Sequence, residues 1–203
     1  MLYVICRELA RWLLLLGFER RAFYRARFPA GGFVLASNHQ SFLDPLLLGT
    51  SVARPVSFMA RDTLFRNPLF GGLIRRVGAF PVRREGVGKE GMREAKRRLE
   101  SGAAVLLFVE GTRTRTGEIS PIKDGAGLLS RLAGAPVVPA AVEGGFRAWP
   151  RSRRLPRPTR LKVAFGAPIP AARFRDDPDG ARRQLEQAIR DLHQGLVSPL
   201  QGA

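Results

Sequence analysis

The chain has 203 residues, 45% of them hydrophobic, a length that buries one sizeable core and is short for two ordinary domains. Its 34 Lys and Arg against 17 Asp and Glu give a net charge of +17, which predicts an anionic partner: nucleic acid, an anionic membrane or a phosphorylated substrate. The single cysteine, Cys6, excludes an internal disulfide framework, and neither zinc-finger spacing nor an aromatic-rich RNA-binding signature is present.

The first predicted element is an amphipathic helix over residues 2–18. Arg7, Glu8 and Arg11 interrupt its apolar residues, so no apolar run approaches the roughly 20 residues that span a bilayer. At about 100° per residue these charges share one arc of the helix, and the apolar side chains occupy another.

Arginines and aromatic residues at 20–28 follow this helix and suit an element that lies in an anionic interface. We therefore divide the chain into an N-terminal amphipathic membrane-interface helical segment, 1–28, and a catalytic domain, 29–203. Two alternatives stay open. One is a helix packed on the domain, and the other is a signal peptide, which the internal charges and the lack of a small-residue cleavage site disfavour.

Short apolar runs and helical patterns alternate through the remaining sequence. The runs that predict strands are 33–37, 56–60, 79–82, 103–109, 136–142 and 161–165. The main helical patterns are 42–49, 89–100, 125–133 and 179–194. This alternation predicts an α/β fold with a central mixed, largely parallel sheet flanked by helices, and binding sites in such folds gather at the carboxyl ends of the strands.

A loop at residues 147–160 stands apart from these elements, because it contains six arginines, three prolines and no acid. One interpretation is a solvated surface excursion. The other is a landing site for lipid head groups or for an acidic acyl-carrier partner, and the sequence favours neither.

The first chemical motif lies where the predicted strand 33–37 gives way to a helix. A histidine side chain ordinarily titrates near pH ~6.5 and can accept a proton once its tautomer is fixed, which makes His39 a candidate base. Asp44, five residues on, can fold back and hold the imidazole. The alternatives are a structural histidine and an acid that favours the helix N-terminus. Ser41 lacks the glycines of a nucleophile elbow, so we interpret it as a turn or capping residue.

The second motif follows the most apolar predicted strand and consists of Glu110, Gly111, Thr112 and Arg113. Glycine lets the backbone approach a ligand closely, and both a hydroxyl and a guanidinium suit phosphate oxygens. Taken alone the motif is weak, because Glu110 could pair with any surface arginine.

Together the two motifs resemble the glycerolipid acyltransferase superfamily, and in particular the bacterial 1-acylglycerol-3-phosphate acyltransferases. Residues 38–44 match the whole first block, Asn-His-x-Ser-x-x-Asp, and residues 110–113 match the whole third block, Glu-Gly-Thr-Arg. Weaker matches to the connecting region and the other blocks lie at 58–61, 67–71, 78–84, 123–125 and 138–139. The sequence departs from the family pattern at Arg61, Val109, Thr114 and Ile122. The exchange at Arg61, where lysine is usual, bears on the acceptor head group because a guanidinium and an ammonium differ in geometry.

The resemblance implies transfer of a fatty acyl group from acyl-CoA or acyl carrier protein to the sn-2 hydroxyl of lysophosphatidic acid, giving phosphatidic acid. It implies that His39 is the base and Asp44 its orienting partner. The acceptor phosphate and its surroundings would involve Arg84, Glu110, Gly111, Thr112, Arg113 and Lys123. Supporting roles would fall to Asn38, Ser41 and Arg61. No cofactor or metal is expected, since His39 and His193 are the only histidines.

We expect such an enzyme to be peripheral, at the cytoplasmic face of the cell membrane, with no nucleic-acid partner. Three other functions stay open: acylation of another lyso-lipid such as lyso-ornithine lipid, a basic nucleic-acid-binding module, and a hydrolase that uses Ser41.

Overall fold

The computed structural model of the chain describes residues 2–82 and 88–198. The strands are β1 (Glu19–Tyr24), β2 (Phe33–Ser37), β3 (Val56–Arg61), β4 (Ala79–Val82), β5 (Ala104–Phe108), β6 (Val137–Glu143) and β7 (Arg160–Phe165). The helices are α1 (Leu2–Gly17), α2 (Asp44–Ser51), α3 (Pro68–Arg76), α4 (Lys89–Glu100), α5 (Gly125–Ala133), α6 (Gly145–Ala148), α7 (Ala171–Asp176) and α8 (Pro178–Val197), and a 3-10 turn spans Asp62–Phe65.

The strands of the described residues form one seven-stranded sheet in the order β1-β7-β6-β2-β5-β3-β4. Every neighbouring pair is parallel except β6 with β7. The predicted mixed, largely parallel α/β sheet is therefore confirmed. Its central strand β2 is buried along its whole length, as expected for an apolar run covered on both faces of a parallel sheet.

The two faces of the sheet bury separate cores because successive strand side chains point to opposite sides. Phe33 and Leu35 of β2 lie in one core, which α1 and α2 cover with Leu14, Leu47 and Leu48. Val34 and Ala36 lie in the other core, under α4, α5 and α8. Full burial of such a side chain stabilises the fold by about 1.5–3 kcal/mol.

The predicted N-terminal helical segment, 1–28, extends too far. The helix ends at Gly17, and residues 19–24 form edge strand β1, parallel to β7. Tyr24 stacks on Phe165 at 5.2 Å between ring centroids, and its hydroxyl donates to the Ser51 carbonyl at 2.7 Å. Alternate side chains of β1 thus contribute to packing, so a boundary at residue 28 would remove a strand from the sheet.

Helix α1 packs on the domain through the side that carries Tyr3, Arg7 and Leu14. The Tyr3 hydroxyl accepts from the Val56 amide at 2.9 Å, Arg7 donates to the Ala53 carbonyl at 3.3 Å, and Leu14 is buried. The opposite side is apolar and exposed. It consists of Val4, Ile5, Leu9, Trp12 and Leu16. Among the described residues, no helix combines the length and the apolar content needed to cross a bilayer.

Candidate active site

His39 and Asp44 meet at the carboxyl end of β2, as the sequence predicts. The Nδ1 atom of His39 donates to Oδ2 of Asp44 at 2.8 Å. The imidazole also stacks on the ring of Phe108, with 3.6 Å between centroids and 9° between planes. These two contacts fix the ring, and a proton held on Nδ1 leaves Nε2 with a lone pair that can accept a proton.

The Asp44 carboxylate is held by the loop that it closes. Its Oδ2 accepts from the main-chain amides of Gln40 at 2.6 Å and Ser41 at 2.7 Å, in addition to His39. The side chain is 1% exposed, and its Oδ1 is a buried oxygen with no hydrogen-bond partner in the described part of the chain. Three hydrogen bonds to one oxygen therefore fix the position of the Asp44 carboxylate relative to the imidazole.

Asn38 and Ser41 hold the same loop against β6 and the segment after α6. Asn38 exchanges two hydrogen bonds with the main chain of Val142, at 3.0 and 2.8 Å. The Ser41 hydroxyl donates to the Trp149 carbonyl at 2.9 Å and accepts from the Leu43 amide at 3.1 Å. Both predicted supporting residues are thus in place, and the buried, doubly bonded Ser41 hydroxyl is a poor candidate for a nucleophile.

Glu110 contacts the main chain instead of facing open solvent. It is buried, and its two oxygens accept from the amides of His39 at 2.8 Å and Ser120 at 2.9 Å. The Thr114 amide adds a bond to the His39 carbonyl at 2.8 Å. Both carboxylate oxygens thus hold the loop that carries His39, and the predicted contact of Glu110 with the acceptor stays a prediction.

Gly111 and Lys123 lie side by side at this edge of the sheet. Gly111 has φ +71, a backbone conformation that favours glycine, and a β-carbon there would lie 3.0 Å from Nζ of Lys123. The Lys123 amide donates to the Val109 carbonyl at 2.8 Å, which holds the two loops together. Thr112 and Lys123 are exposed, so both are accessible to a ligand.

Arg113 is a half-buried arginine close enough to Asp44 for the two charges to interact. Its Cζ lies 3.6 Å from the centroid of the Phe42 ring, and its buried Nη1 has no partner among residues 2–82 and 88–198. Burial lowers the pKa of the Arg113 guanidinium, the neighbouring charges of Arg151 and Arg61 lower it further, and Asp44 opposes them. Several arginines close together, one of them with an unpaired N–H group, are an arrangement that favours binding of an anion.

Arg84, which the resemblance places near the acceptor phosphate, lies outside the described residues. Arg151, which the sequence indicated only as part of the basic loop 147–160, comes close to Arg113 because Trp149 anchors the loop on the histidine motif. The Trp149 ring lies 5.2 Å from that of Phe42, and Trp149 Nε1 donates to the Arg153 carbonyl at 3.2 Å.

A second histidine–carboxylate pair, which was not predicted from the sequence, contacts the loop of His39 through Gln40. His193 Nε2 donates to Glu143 Oε2 at 3.0 Å, and the side-chain amide of Gln40 donates to the same oxygen at 3.0 Å. Burial raises the pKa of Glu143, but the hydrogen bonds from His193 and Gln40 outweigh it and bring the pKa down to about 2. Gln40 lies between His39 and Ser41, so the contacts among His193, Glu143 and Gln40 connect α8 to the loop that carries His39.

The described residues contain no group of three or more His, Cys, Asp or Glu side chains arranged to hold a metal ion. Of the predicted site residues, the structure brings together His39, Asp44, Asn38, Ser41, Glu110 and Arg113 at one edge of the sheet. Gly111 and Lys123 adjoin this group. Arg61, the last residue of β3, is close enough to Arg113 to lower the pKa of its guanidinium.

Known proteins share both the sequence pattern and the fold. The family described as Acyltransferase matches residues 21–143. The 1-acyl-sn-glycerol-3-phosphate acyltransferase of Bacillus subtilis (strain 168) is 30% identical over 202 residues, which is 96% of this chain and 98% of that protein. The chloroplastic 1-acyl-sn-glycerol-3-phosphate acyltransferase BAT2 of Brassica napus is 32% identical over 159 residues, 77% of this chain and 46% of its own.

A solved structure has the same fold. The crystal structure of the 1-acyl-sn-glycerophosphate (LPA) acyltransferase PlsC from Thermotoga maritima superposes with a TM-score of 0.82 at 21% identity, covering 97% of this chain and 80% of that one. The predicted superfamily and class of enzyme are confirmed by these matches. The chain belongs to the acyltransferase family.

Proposed function

We propose that the protein transfers a fatty acyl group from an acyl thioester to the sn-2 hydroxyl of lysophosphatidic acid, giving phosphatidic acid. The observation that carries the proposal is the His39 ring, which Asp44 and Phe108 hold in place, together with the Arg113 guanidinium, which stacks on Phe42 and lies near enough to Asp44 for their charges to interact. A base next to an anion site suits an acceptor that has a hydroxyl close to a phosphate. The names of the relatives in Bacillus subtilis and Brassica napus support this acceptor.

In the proposed reaction Nε2 of His39 removes the hydroxyl proton as the oxygen attacks the thioester carbonyl. The new C–O ester bond forms, the C–S bond breaks, and the leaving thiolate takes the proton from the imidazolium. The buried carboxylate of Asp44 stabilises the imidazolium between these steps. Base catalysis of this kind contributes roughly 10²–10⁴-fold, and positioning of the two substrates supplies much of the remainder.

The acceptor phosphate is proposed to lie against Arg113, with Arg61, Lys123 and the sequence-predicted Arg84 around it. The Arg113 guanidinium is only half-buried as a whole, and its hydrogen bonds to a phosphate oxygen would be shorter and stronger than those between neutral groups. Acyl-CoA and acyl carrier protein are the proposed donors, and no cofactor is part of the proposal.

Attachment to a membrane is proposed to use the outer side of α1. A helix that serves only the core turns its apolar side inward, whereas α1 turns its apolar arc outward and packs through a side that includes Arg7. Leu16 is 84% exposed and Trp12 is 61% exposed. Such a side suits the acyl boundary of an anionic leaflet, which we propose is the cytoplasmic face of the cell membrane.

The test is to incubate the purified protein with labelled acyl thioesters and a panel of lyso-lipids, and to identify the products by mass spectrometry. We expect phosphatidic acid from lysophosphatidic acid, at a higher kcat/KM than any product from lyso-ornithine lipid. A preference for lyso-ornithine lipid would replace the proposed acceptor. An absence of acyl transfer to every lyso-lipid, with either donor, would contradict the proposed function.

A further inference from the structure

A second exposed apolar surface lies far from α1, in the connection between β3 and β4. Its members are large apolar side chains of α3 and of the preceding 3-10 turn, and we call it the α3 surface: Leu64, Leu69, Phe70 and Leu73. Leu69 is 87% exposed, and the other three are each close to half exposed. An apolar patch of this kind on a soluble domain indicates a contact with another apolar phase or protein.

The outward direction of these side chains follows from how α3 packs. Gly71 is the buried residue of the helix, and a β-carbon there would lie 2.8 Å from the Phe65 carbonyl oxygen. The helix therefore approaches the turn through a glycine, and Leu69, Phe70 and Leu73 remain outside. Asn67 caps the helix by accepting from the Phe70 amide at 2.9 Å, so these residues are held in a formed helix.

Arginines surround the α3 surface. Arg61, Arg66, Arg75 and Arg76 are all exposed, and Asp62 is the only acid between residues 61 and 76. Within the ranges 2–82 and 88–198, none of these four guanidinium groups is in a salt bridge; Arg75 lies instead over the Phe65 ring at 4.7 Å. Apolar side chains rimmed by free cations match a bilayer with anionic head groups, because apolar insertion and charge attraction then act at one surface.

The α3 surface and the exposed side of α1 flank the catalytic edge of the sheet. Strands β2 and β3 end at that edge, and the 3-10 turn begins directly after β3. Because β7 runs against β6, strands β7 and β1 begin at the same edge, where α1 ends. In the strand order, β1 and β3 are five spacings apart, on the order of 24 Å, with β2 between them.

We infer that the α3 surface is a second membrane contact, which together with α1 seats the catalytic edge on an anionic bilayer. The inference rests on the proposed membrane location. Contacts on both sides of β2 would prevent the domain from tilting about α1 relative to the bilayer, so the distance of His39 from the lipid head groups would stay constant. With α1 as the single contact, the domain could tilt.

The binding test compares a triple variant, Leu69→Gln, Phe70→Gln and Leu73→Gln, with a matched double variant, Leu128→Gln and Leu132→Gln. The control leucines are 40% and 47% exposed on α5. Sedimentation with vesicles of phosphatidylethanolamine and phosphatidylglycerol should show partitioning of the triple variant reduced on the order of tenfold or more, with the control unchanged. Circular dichroism should show unchanged melting of both. Wild-type partitioning of a folded triple variant would overturn the inference.

A label at Leu69 separates this inference from the proposed function. In a Cys6→Ser background, a polarity-sensitive fluorophore on Leu69→Cys should shift to the blue when vesicles are added, and one on Leu132→Cys should not. A Leu69 label that stays in water while the protein acylates lysophosphatidic acid on the same vesicles would overturn the inference alone. A wild-type dimer that the triple variant dissociates, without loss of vesicle binding, would make the surface an interface between copies and would overturn it too.

Discussion

Gly145 packs against the Asp44 carboxylate so closely that a β-carbon at this position would lie 2.7 Å from its Oδ1 atom. The same β-carbon would lie 2.9 Å from Cβ of Ser41, so the glycine fits against two residues of the histidine loop. The buried Oδ1 has no polar partner among the described residues, and Gly145 occupies the space beside it. A side chain at residue 145 therefore acts directly on the position of Asp44.

We expect Gly145→Ala to displace Asp44 and to lower kcat by about 10²-fold, since misplacement of a catalytic group by about 1 Å has an effect of this size. Overpacking should also destabilise the fold by about 1–3 kcal/mol. Steady-state kinetics and thermal melting measure the two effects. Gly31→Ala is the control, because a β-carbon there meets nothing within 4 Å. In an Asp44→Asn background, Gly145→Ala should add little; full additivity would show that the glycine does not act through Asp44.

The Glu143–His193 pair predicts a dependence of stability on pH. The pKa of Glu143 is lowered from 4.5 to about 2, so ionised Glu143 stabilises the folded protein at pH above 4.5, and this contribution disappears as the pH falls toward 2. The size of the shift corresponds to roughly 3 kcal/mol. Glu143→Gln should therefore lower the free energy of unfolding at pH 7 by about this amount, and the difference from wild type should shrink between pH 4.5 and 2.

Urea unfolding at a series of pH values measures this effect. Glu118→Gln serves as the control because Glu118 is exposed, and it should leave the free energy of unfolding unchanged at every pH. A constant difference between Glu143→Gln and wild type from pH 7 to pH 2 would show that ionisation of Glu143 contributes nothing to stability.

Arg113 is expected to act on the acceptor. Arg113→Ala removes the guanidinium that stacks on Phe42 and should lower kcat/KM for lysophosphatidic acid by about 10–10²-fold, mainly through KM, because a hydrogen bond between charged groups contributes about 1.5–3 kcal/mol. Arg113→Lys should recover only part of this loss, since an ammonium has neither the forked geometry nor the planar stacking. Exposed Arg115→Ala is the control. An unchanged acceptor KM in Arg113→Ala would remove Arg113 from the phosphate site.

The sequence was most informative where structure and chemistry are local. Strand β2, which is fully buried, and strand β5, which is buried except at Phe108, were recognisable because apolar runs suffice for strands covered on both faces. His39 and Asp44 are five residues apart, so a strand end and the first turn of a helix bring them together without any long-range contact. The same holds for Glu110 and Arg113, which share one loop.

Features made by long-range contacts were not predicted. Strand β1, with two adjacent arginines, forms by pairing with β7, which lies more than 130 residues away in the chain. The contacts of Gly145 with Asp44, and of His193 with Glu143, join segments whose sequences carry no mutual signal. The main-chain contacts of Glu110 were not predicted for a similar reason, since only the fold shows that its oxygens accept from the amides of His39 and Ser120.

Acyl transfer by His39→Ala is the decisive measurement, because the proposed reaction depends on Nε2 of this one ring. With saturating acyl thioester and lysophosphatidic acid, kcat of a variant that melts like wild type should fall by roughly 10²–10⁴-fold. The comparison is His193→Gln, which changes the chain's other histidine. This ring acts on the loop of His39 only through Glu143 and Gln40, so the variant should lose far less turnover than His39→Ala. Turnover by His39→Ala close to that of wild type would contradict the assignment of His39 as the catalytic base.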